Sequence, residues 1–223
     1  MTLSVNQIYQ GNCLELMKEI EDESVDMILT DPPYGMDFQS NRRKNKYNRI
    51  IGDCNLDWID KFTEQSYRVS KNNSAHYVFC SFHNIDIFKQ SFQKKFIIKN
   101  ILIWEKNNTG MGDLEADFAP KIEFILFLMK GRKTINGNRD PNILRFNKTG
   151  NIYHPTQKPI ELFEYLLSKF SAIEEVILDP FAGSGTTGVA CVMTNRKYIL
   201  IEKDEKYCEI ARKRIEEIPT RLL

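Results

Sequence analysis

Residues 176–188 read VILDPFAGSGTTG, an apolar run that breaks into a glycine-rich loop and resumes as a second apolar stretch, with KYILIEKD following at 197–204. Gly183, Gly185 and Gly188 stand in the spacing GxGxxG, and Glu202 closes the next apolar run 19 residues after Gly183. A strand, a tight glycine turn, a helix and a second strand ending in an acid make one βαβ unit. Such a unit admits little besides an open, mostly parallel α/β sheet. The glycines let a ligand approach the backbone, and an acid at the second strand's end can chelate a ribose diol. A plain βα turn capped by Ser184 would account for the glycines but not for Glu202.

The rest of the chain fits the same architecture. Strand-like runs fall at 25–30, 75–80, 97–104, 122–129, 175–178 and 197–201. Helix-like periodic segments fall at 12–21, 56–70, 84–93, 159–170, 186–194 and 204–217. Several runs are continuously apolar, as expected of strands covered by helices on both faces. With 223 residues, no repeats and no low-complexity tract, a single domain spanning 1–223 is expected. Three stretches lack pattern, 36–55, 105–120 and 131–157, and long unpatterned stretches in a compact domain are often lids or binding loops.

Composition removes several classes. No run of about 18 apolar residues predicts a membrane span, and the N-terminal residues lack the layout of a signal peptide. Cys13, Cys54, Cys80, Cys191 and Cys208 are scattered, with no CxxC, which predicts reduced thiols in a cytoplasmic protein and neither disulfides nor a metal site. The zinc deaminase signature is absent. Net charge is only +1, but cations cluster. The loop after residue 35 carries Arg42, Arg43, Lys44, Lys46 and Arg49 without an acid, and 130–148 carries Lys130, Arg132, Lys133, Arg139, Arg145 and Lys148 against Asp140 alone. Either run can be a solvated surface or a phosphate-binding face.

Two ligand classes fit the glycine unit. A dinucleotide would put its pyrophosphate at the helix N-terminus; S-adenosylmethionine would put an amino acid head group beside the loop. A P-loop is excluded because no lysine follows the glycines. Asp179-Pro180-Phe181 leans towards the methyl donor, since an acid at a strand end suits an ammonium better than a pyrophosphate. The strand at 25–30 ends in Asp31-Pro32-Pro33-Tyr34-Gly35. Turn preferences explain the prolines and the glycine, and leave Asp31 and Tyr34 unexplained.

DPPYG at 31–35, HPTQKP at 154–159 and DPFAGSGTT at 179–187 occur together in that order. In this the chain closely resembles the DNA amino-methyltransferases acting on N6 of adenine or N4 of cytosine, in the permuted β-class arrangement with DPPY ahead of the glycine loop. The resemblance spans about residues 6–215 and implies a Rossmann-like S-adenosylmethionine-dependent methyltransferase fold.

For the site it implies the following. Asp31, Pro32, Pro33 and Tyr34 are catalytic: an exocyclic amine is a poor nucleophile, and the Asp31 carboxylate with the Pro32 carbonyl can accept its two N–H bonds, while Tyr34 offers a stacking face to a flipped base. Asp179, Phe181, Gly183, Ser184, Gly185 and Thr186 line the cofactor's methionine portion together with Asp31. Glu202, followed by Lys203, holds the ribose; Asn12 and Cys13 face the adenine ring, where an acid is commoner than Asn12. His154, Thr156 and Lys158 close over the methionine carboxylate. The basic loop 36–55 (Arg42, Arg43, Lys44, Lys46, Arg49) and a short target-recognition segment 131–153 (Arg132, Lys133, Arg139, Arg145, with Lys148) are expected to touch DNA. No metal is expected. DNA is the expected partner, a second copy of the chain and a cognate restriction enzyme are further candidates, and the Asp-initiated tetrapeptide favours adenine. N4-cytosine methylation, a nucleotide-dependent oxidoreductase and a non-catalytic DNA-binding relic are the alternatives.

Overall fold

A computed structural model describes residues 3–34, 56–110 and 114–218. Eight strands form one sheet: β1 Gln7–Gln10, β2 Met27–Thr30, β3 Ser74–Cys80, β4 Ile97–Glu105, β5 Ile122–Lys130, β6 Ile143–Arg145, β7 Val176–Asp179 and β8 Lys197–Glu202. Their order is β1-β8-β7-β2-β3-β5-β4-β6. Every pairing is parallel except those of β5 with β3 and β4, so β5 alone runs against the rest.

The helices are α1 Cys13–Leu16, continued by a 3-10 turn Met17–Glu19, then α2 Ile59–Val69, α3 Ile85–Phe92, α4 Ile160–Phe170, α5 Thr186–Met193 and α6 Glu205–Glu216. They cover the sheet on both sides, as the continuous apolar strands require. Alternate residues of each strand separate into two cores. Met27, Leu29, Tyr77, Phe79, Ile125 and Phe127 pack with α4, α5 and α6. Ile28, Val78, Leu126, Leu128, Ile199 and Ile201 pack with α2, α3 and the α1 turn. The period of two along the backbone makes this sorting automatic.

Two strands escape the sequence reading, and both lie on sheet edges. Gln7–Gln10 buries only Ile8, and Ile143–Arg145 buries only Leu144, so neither shows an apolar run. The stretch read as one helix over 12–21 breaks into one α-turn and one 3-10 turn. The helix expected over 56–70 starts later, at Ile59. Among the described residues no helix is long and apolar enough to cross a membrane.

The strand order reverses between β7 and β2. From β7 the chain moves outward to β8, whereas from β2 it moves the other way to β3. In open α/β sheets the crevice beyond the carboxyl ends of the strands at such a reversal is where ligands bind. Here the two strands meeting at the reversal end in Asp31-Pro32-Pro33-Tyr34 and in Asp179-Pro180-Phe181.

Candidate active site

Asp179, the last residue of β7, is the clamp between these two strands. Its Oδ1 accepts from the Thr30 hydroxyl at 2.6 Å, across the sheet on β2, and from the Phe181 N–H at 3.1 Å. Its Oδ2 accepts from the Thr187 hydroxyl on α5. Burial pushes the Asp179 carboxyl up to about 6, against the pull of these donors. An acid expected to face a ligand ammonium is thus 3% exposed and carries three internal hydrogen bonds. Phe181 points away from the glycine turn and packs its ring on Trp58 and Phe62 at 5.3 Å each.

The glycine loop is tied down at several points. Gly185 has φ +82, and a Cβ there would lie 2.6 Å from the Ala211 Cβ, so only glycine fits between the loop and α6. At Gly188 a Cβ would meet Ile215 at 2.4 Å and Leu200 at 2.7 Å, which makes this residue the close-packing glycine of the pattern. Ser184 does not cap α5: its carbonyl and hydroxyl receive Arg214 Nη1 at 2.5 and 3.0 Å, and Gly185 occupies the capping position. Thr186, the first residue of α5, is buried.

Glu202, at the end of β8, braces the loop from the far side. Oε2 accepts the Gly183 N–H at 2.8 Å, and Oε1 accepts the N–H groups of Lys203 at 2.7 Å and Asp204 at 2.9 Å. Burial raises its carboxyl despite these donors. Its own carbonyl receives the Gly11 N–H at 2.9 Å, which brings the Asn12-Cys13 turn to the same crevice. Asn12, an exposed residue, uses its side-chain oxygen to cap α1 through the Leu14 N–H at 2.9 Å. Cys13 is held as a thiol, pushed up to about 12 by burial. The Lys203 side chain is exposed.

HPTQKP crosses over the top of this loop. The His154 ring lies 3.6 Å from where a Gly183 Cβ would be, and packs edge-on to Tyr207 with centroids 4.5 Å apart. Its Nδ1 accepts the Thr156 N–H at 3.2 Å, so the neutral ring carries its proton on Nε2. Burial and then the Lys158 charge lower its pKa to about 4, which keeps it neutral. The loop is stapled by Asn151 Nδ2 to the Pro155 carbonyl at 2.5 Å and by the Thr149 hydroxyl to the Gln157 carbonyl at 3.1 Å.

Lys158 then reaches the catalytic tetrapeptide. Its ammonium, on a side chain 5% exposed, pairs with Asp31 Oδ2 and lies 3.3 Å from Glu123 Oε2. The Tyr34 hydroxyl donates to Asp31 Oδ1 at 2.5 Å, and the Tyr34 carbonyl is held by Asn84. Burial raises the Asp31 carboxyl against the pull of Lys158. Burial works to lower Lys158, but Asp31 and Glu123 outweigh it and leave Lys158 raised and cationic. Glu123, on β5, is also bound by Lys106 at 3.2 Å; burial opposes its charge, yet Lys158 and Lys106 leave it lowered and ionised.

Glu123 and Lys106 escape the sequence reading. The signal was present: a lone acid near the start of the run IEFILFLM is costly in a covered strand unless a cation meets it. His76 proves to be a packing residue, buried, lowered to about 3 by burial, with Nδ1 accepting the Ile28 N–H at 3.0 Å. Trp104 is likewise core, its Nε1 donating to the Phe146 carbonyl at 2.9 Å.

The cations expected to touch DNA are not brought together. Lys130 pairs in register with Ser74 at the start of β3, so the antiparallel β5 delivers residues 130–133 to the end of the sheet opposite Asp31. There Lys130 is buried against Glu23, and Lys133 pairs with Glu175 at 2.9 Å, just ahead of β7. Arg132 stands beside them, its N–H on Asn73 at 3.0 Å. Arg139 sits between Asn138 and Asp140, both bound by Lys169 near the C-terminal end of α4. Among the described cations, Arg145 and Lys148 return to the catalytic end: Arg145 bonds Glu105 at 2.9 Å and the Lys148 N–H bonds Asn107 at 2.9 Å. The cations of segment 131–153 thus divide between the two ends of the sheet. Arg42, Arg43, Lys44, Lys46 and Arg49 lie outside the described residues.

A βαβ unit with an acid-ended second strand, set at the strand-order reversal beside Asp-Pro-Pro-Tyr, defines a Rossmann-like α/β enzyme of the kind that binds a nucleoside cofactor. The chain belongs to the N6/N4 methyltransferase family, described as DNA methylase, whose profile matches residues 25–213. The type II methyltransferase M2.MboI of Moraxella bovis is 32% identical over 95% of this chain and 88% of its own length. The DNA adenine methyltransferase YhdJ of Escherichia coli strain K12 is 28% identical over 94% of this chain and 82% of its own. Among solved structures, the M1.HpyAVI–SAM complex superposes with a TM-score of 0.72 at 28% identity, covering 93% of this chain and 98% of that one.

Proposed function

We propose that the protein transfers a methyl group from S-adenosylmethionine to the N6 amine of adenine in DNA. The observation that carries this is the placement of Asp31 and the Pro32 carbonyl beside the glycine loop at the strand-order reversal. The residues around the crevice suit this cofactor. An amino acid head group needs a cation and an acid, and Lys158 and Asp31 supply them; a ribose diol needs an acceptor, and Glu202 stands at the loop. A pyrophosphate would instead meet the carboxylates of Asp31 and Glu202, which disfavours the dinucleotide reading. When bound, the cofactor supplies an electrophilic methyl on a sulfonium.

The chain's own residues prepare the amine. Asp31 and the Pro32 carbonyl accept the two N–H bonds of the target amino group, so its lone pair is no longer spread into the ring. Prolines fix φ, so both acceptors are aimed before the base arrives. Asp31 takes the proton that the methylated nitrogen sheds. Tyr34, braced through Asp31, presents its ring to the flipped base. The Asp at the head of the tetrapeptide and the name of the YhdJ relative support adenine over cytosine.

On the DNA side we assign contacts to Arg42, Arg43, Lys44, Lys46 and Arg49 and, at the catalytic rim, to Arg145 and Lys148; Arg132, Lys133 and Arg139 are left out. Pairing with a second copy of the chain is tested by sedimentation, and a cognate restriction enzyme by challenging methylated DNA with endonucleases. The deciding experiment is incubation with labelled S-adenosylmethionine and duplex DNA, followed by nucleoside analysis. N6-methyladenine is expected. N4-methylcytosine would move the substrate to cytosine, and the absence of any labelled base would overturn the proposal.

A further inference from the structure

Four side chains of alternating charge run in from the rim of the site: Lys106, Glu123, Lys158 and Asp31. Only Asp31 and Lys158 are assigned a task by the reaction above. Glu123 is anchored at Oε1 by Lys106 at 3.2 Å. Its Oε2 is fully buried and pairs with the Lys158 ammonium at 3.3 Å, a longer contact than the one Lys158 makes with Asp31. The ammonium leans on Asp31 Oδ2 and sits over the Phe79 ring at 5.3 Å.

This arrangement presents a chemical conflict. Asp31 must accept an N–H from the target amine, yet one of its oxygens holds the Tyr34 hydroxyl and the other the Lys158 ammonium. A carboxylate neutralised by a contact ammonium is a weak acceptor for a neutral amine. Lys158 cannot simply withdraw, because a buried ammonium without an anion is costly. A second buried carboxylate, paired with the same nitrogen at the longer distance of 3.3 Å, removes the difficulty.

The geometry points to Glu123 as a positioning residue that draws Lys158 off Asp31 when the target amine enters, freeing Asp31 to accept from it. This rests on the amino-methyltransferase reading above. Lys106 sets the strength of the draw by competing for the other oxygen of Glu123. The titratable groups facing Asp31 and Lys158 are Tyr34 from the end of β2, Cys80 from β3, Glu123 from β5, Lys106 from the β4–β5 loop, Asp179 from the end of β7 and His154 from the HPTQKP loop. Cys80 is a thiol pushed up to about 12 by burial and His154 is neutral, so the charges in play are those of Asp31, Glu123, Lys158, Lys106 and, above about pH 6, Asp179.

Two substitutions with opposite expected signs test it, using duplex DNA and S-adenosylmethionine at a series of pH values. Glu123→Gln removes the acceptor for Lys158: kcat should fall about tenfold or more, with cofactor Kd changed less than about threefold, the pattern of an interaction used in the transition state. The acid limb of the kcat profile should move to lower pH, because the Glu123 charge is one cause holding the Asp31 carboxyl up. Lys106→Met leaves Glu123 less neutralised, so the limb should move to higher pH. Glu123→Asp, keeping the charge, should leave the limb in place and restore part of the rate. If Glu123→Gln loses its thermal transition, the Lys106→Met limb decides alone. Unmoved limbs, or a loss of cofactor affinity equal to the loss of rate, would reduce Glu123 to a structural partner of Lys158 and overturn the inference. A wild-type protein that methylates no adenine would instead refute the underlying reading.

Discussion

Asp179 offers a direct measurement of what the clamp between β2 and β7 costs. Burial lifts its carboxyl from 3.8 to about 6 in the fold. Two units correspond to about 3 kcal/mol, at 1.36 kcal/mol per unit. A raised carboxyl stabilises the fold in its neutral form, so this contribution is fully present below about pH 4 and is lost as pH rises through about 6. Asp179→Asn has no such loss. Its amide oxygen still accepts from Thr30 and the Phe181 N–H, and its NH₂ meets the Thr187 hydroxyl, which can turn to accept. The stability of the Asn variant minus that of the wild type should therefore rise between pH 4 and pH 6.5, by up to about 3 kcal/mol, and stay flat above. Urea unfolding of both proteins in one buffer series gives this difference directly, and titrating groups not coupled to Asp179 cancel in the subtraction, leaving Asp31 as the neighbour whose own titration also changes. A difference that is constant across the window, or falls with rising pH, would show that the three donors hold the carboxylate more strongly than burial disfavours it.

The remaining predictions concern the reaction. Asp31→Ala should lower the single-turnover rate by about 10² to 10³, the usual consequence of losing one preorganised polar contact, and a variant keeping more than about a tenth of the rate would reject Asp31 as the amine acceptor. Glu202→Ala should weaken S-adenosylmethionine binding by calorimetry far more than DNA binding, since it removes charge-assisted hydrogen bonds worth roughly 1.5–3 kcal/mol each and also frees the Gly183 N–H. Unchanged affinity would make Glu202 a loop brace only. Neutralising Arg42, Arg43 and Lys44 together should flatten the salt dependence of DNA affinity by about two to three units, at roughly 0.9 per phosphate contact. The paired change Arg132→Gln with Lys133→Gln, at the far end of the sheet, should leave that slope alone; the reverse result would place DNA on the wrong side of the molecule.

What could be read from the chain follows from how local each signal is. The glycine loop, the acid ending β8 and the tetrapeptide ending β2 depend on neighbours within a few residues, and each is found at the carboxyl end of a strand. Strands β2, β3, β5, β7 and β8 announce themselves because both their faces are covered. The edge strands β1 and β6 bury one residue each and leave no apolar run. Partners across the sheet are a different matter. That Asp179 would spend its oxygens on Thr30, 149 residues earlier in the chain, and on Thr187 depends on β7 lying next to β2, which no local pattern states. The Lys158–Glu123 pairing likewise needs β5 beside β3 and the HPTQKP loop above both.

Strand direction decides where the cations of 130–133 fall. Seven strands run one way, and a parallel β5 would have carried residues 130–133 to the catalytic end. Because β5 is antiparallel, its charged ends are inverted: Glu123 enters the active site, and Lys130 is buried against Glu23 at the opposite end. One reversal thus removes cations from the candidate DNA face and brings an anion to Lys158. Charge counted along the sequence cannot distinguish these outcomes, since the same residues supply either surface. The acid that a parallel strand would have left at the far end becomes the second partner of the lysine on which the acceptor strength of Asp31 depends.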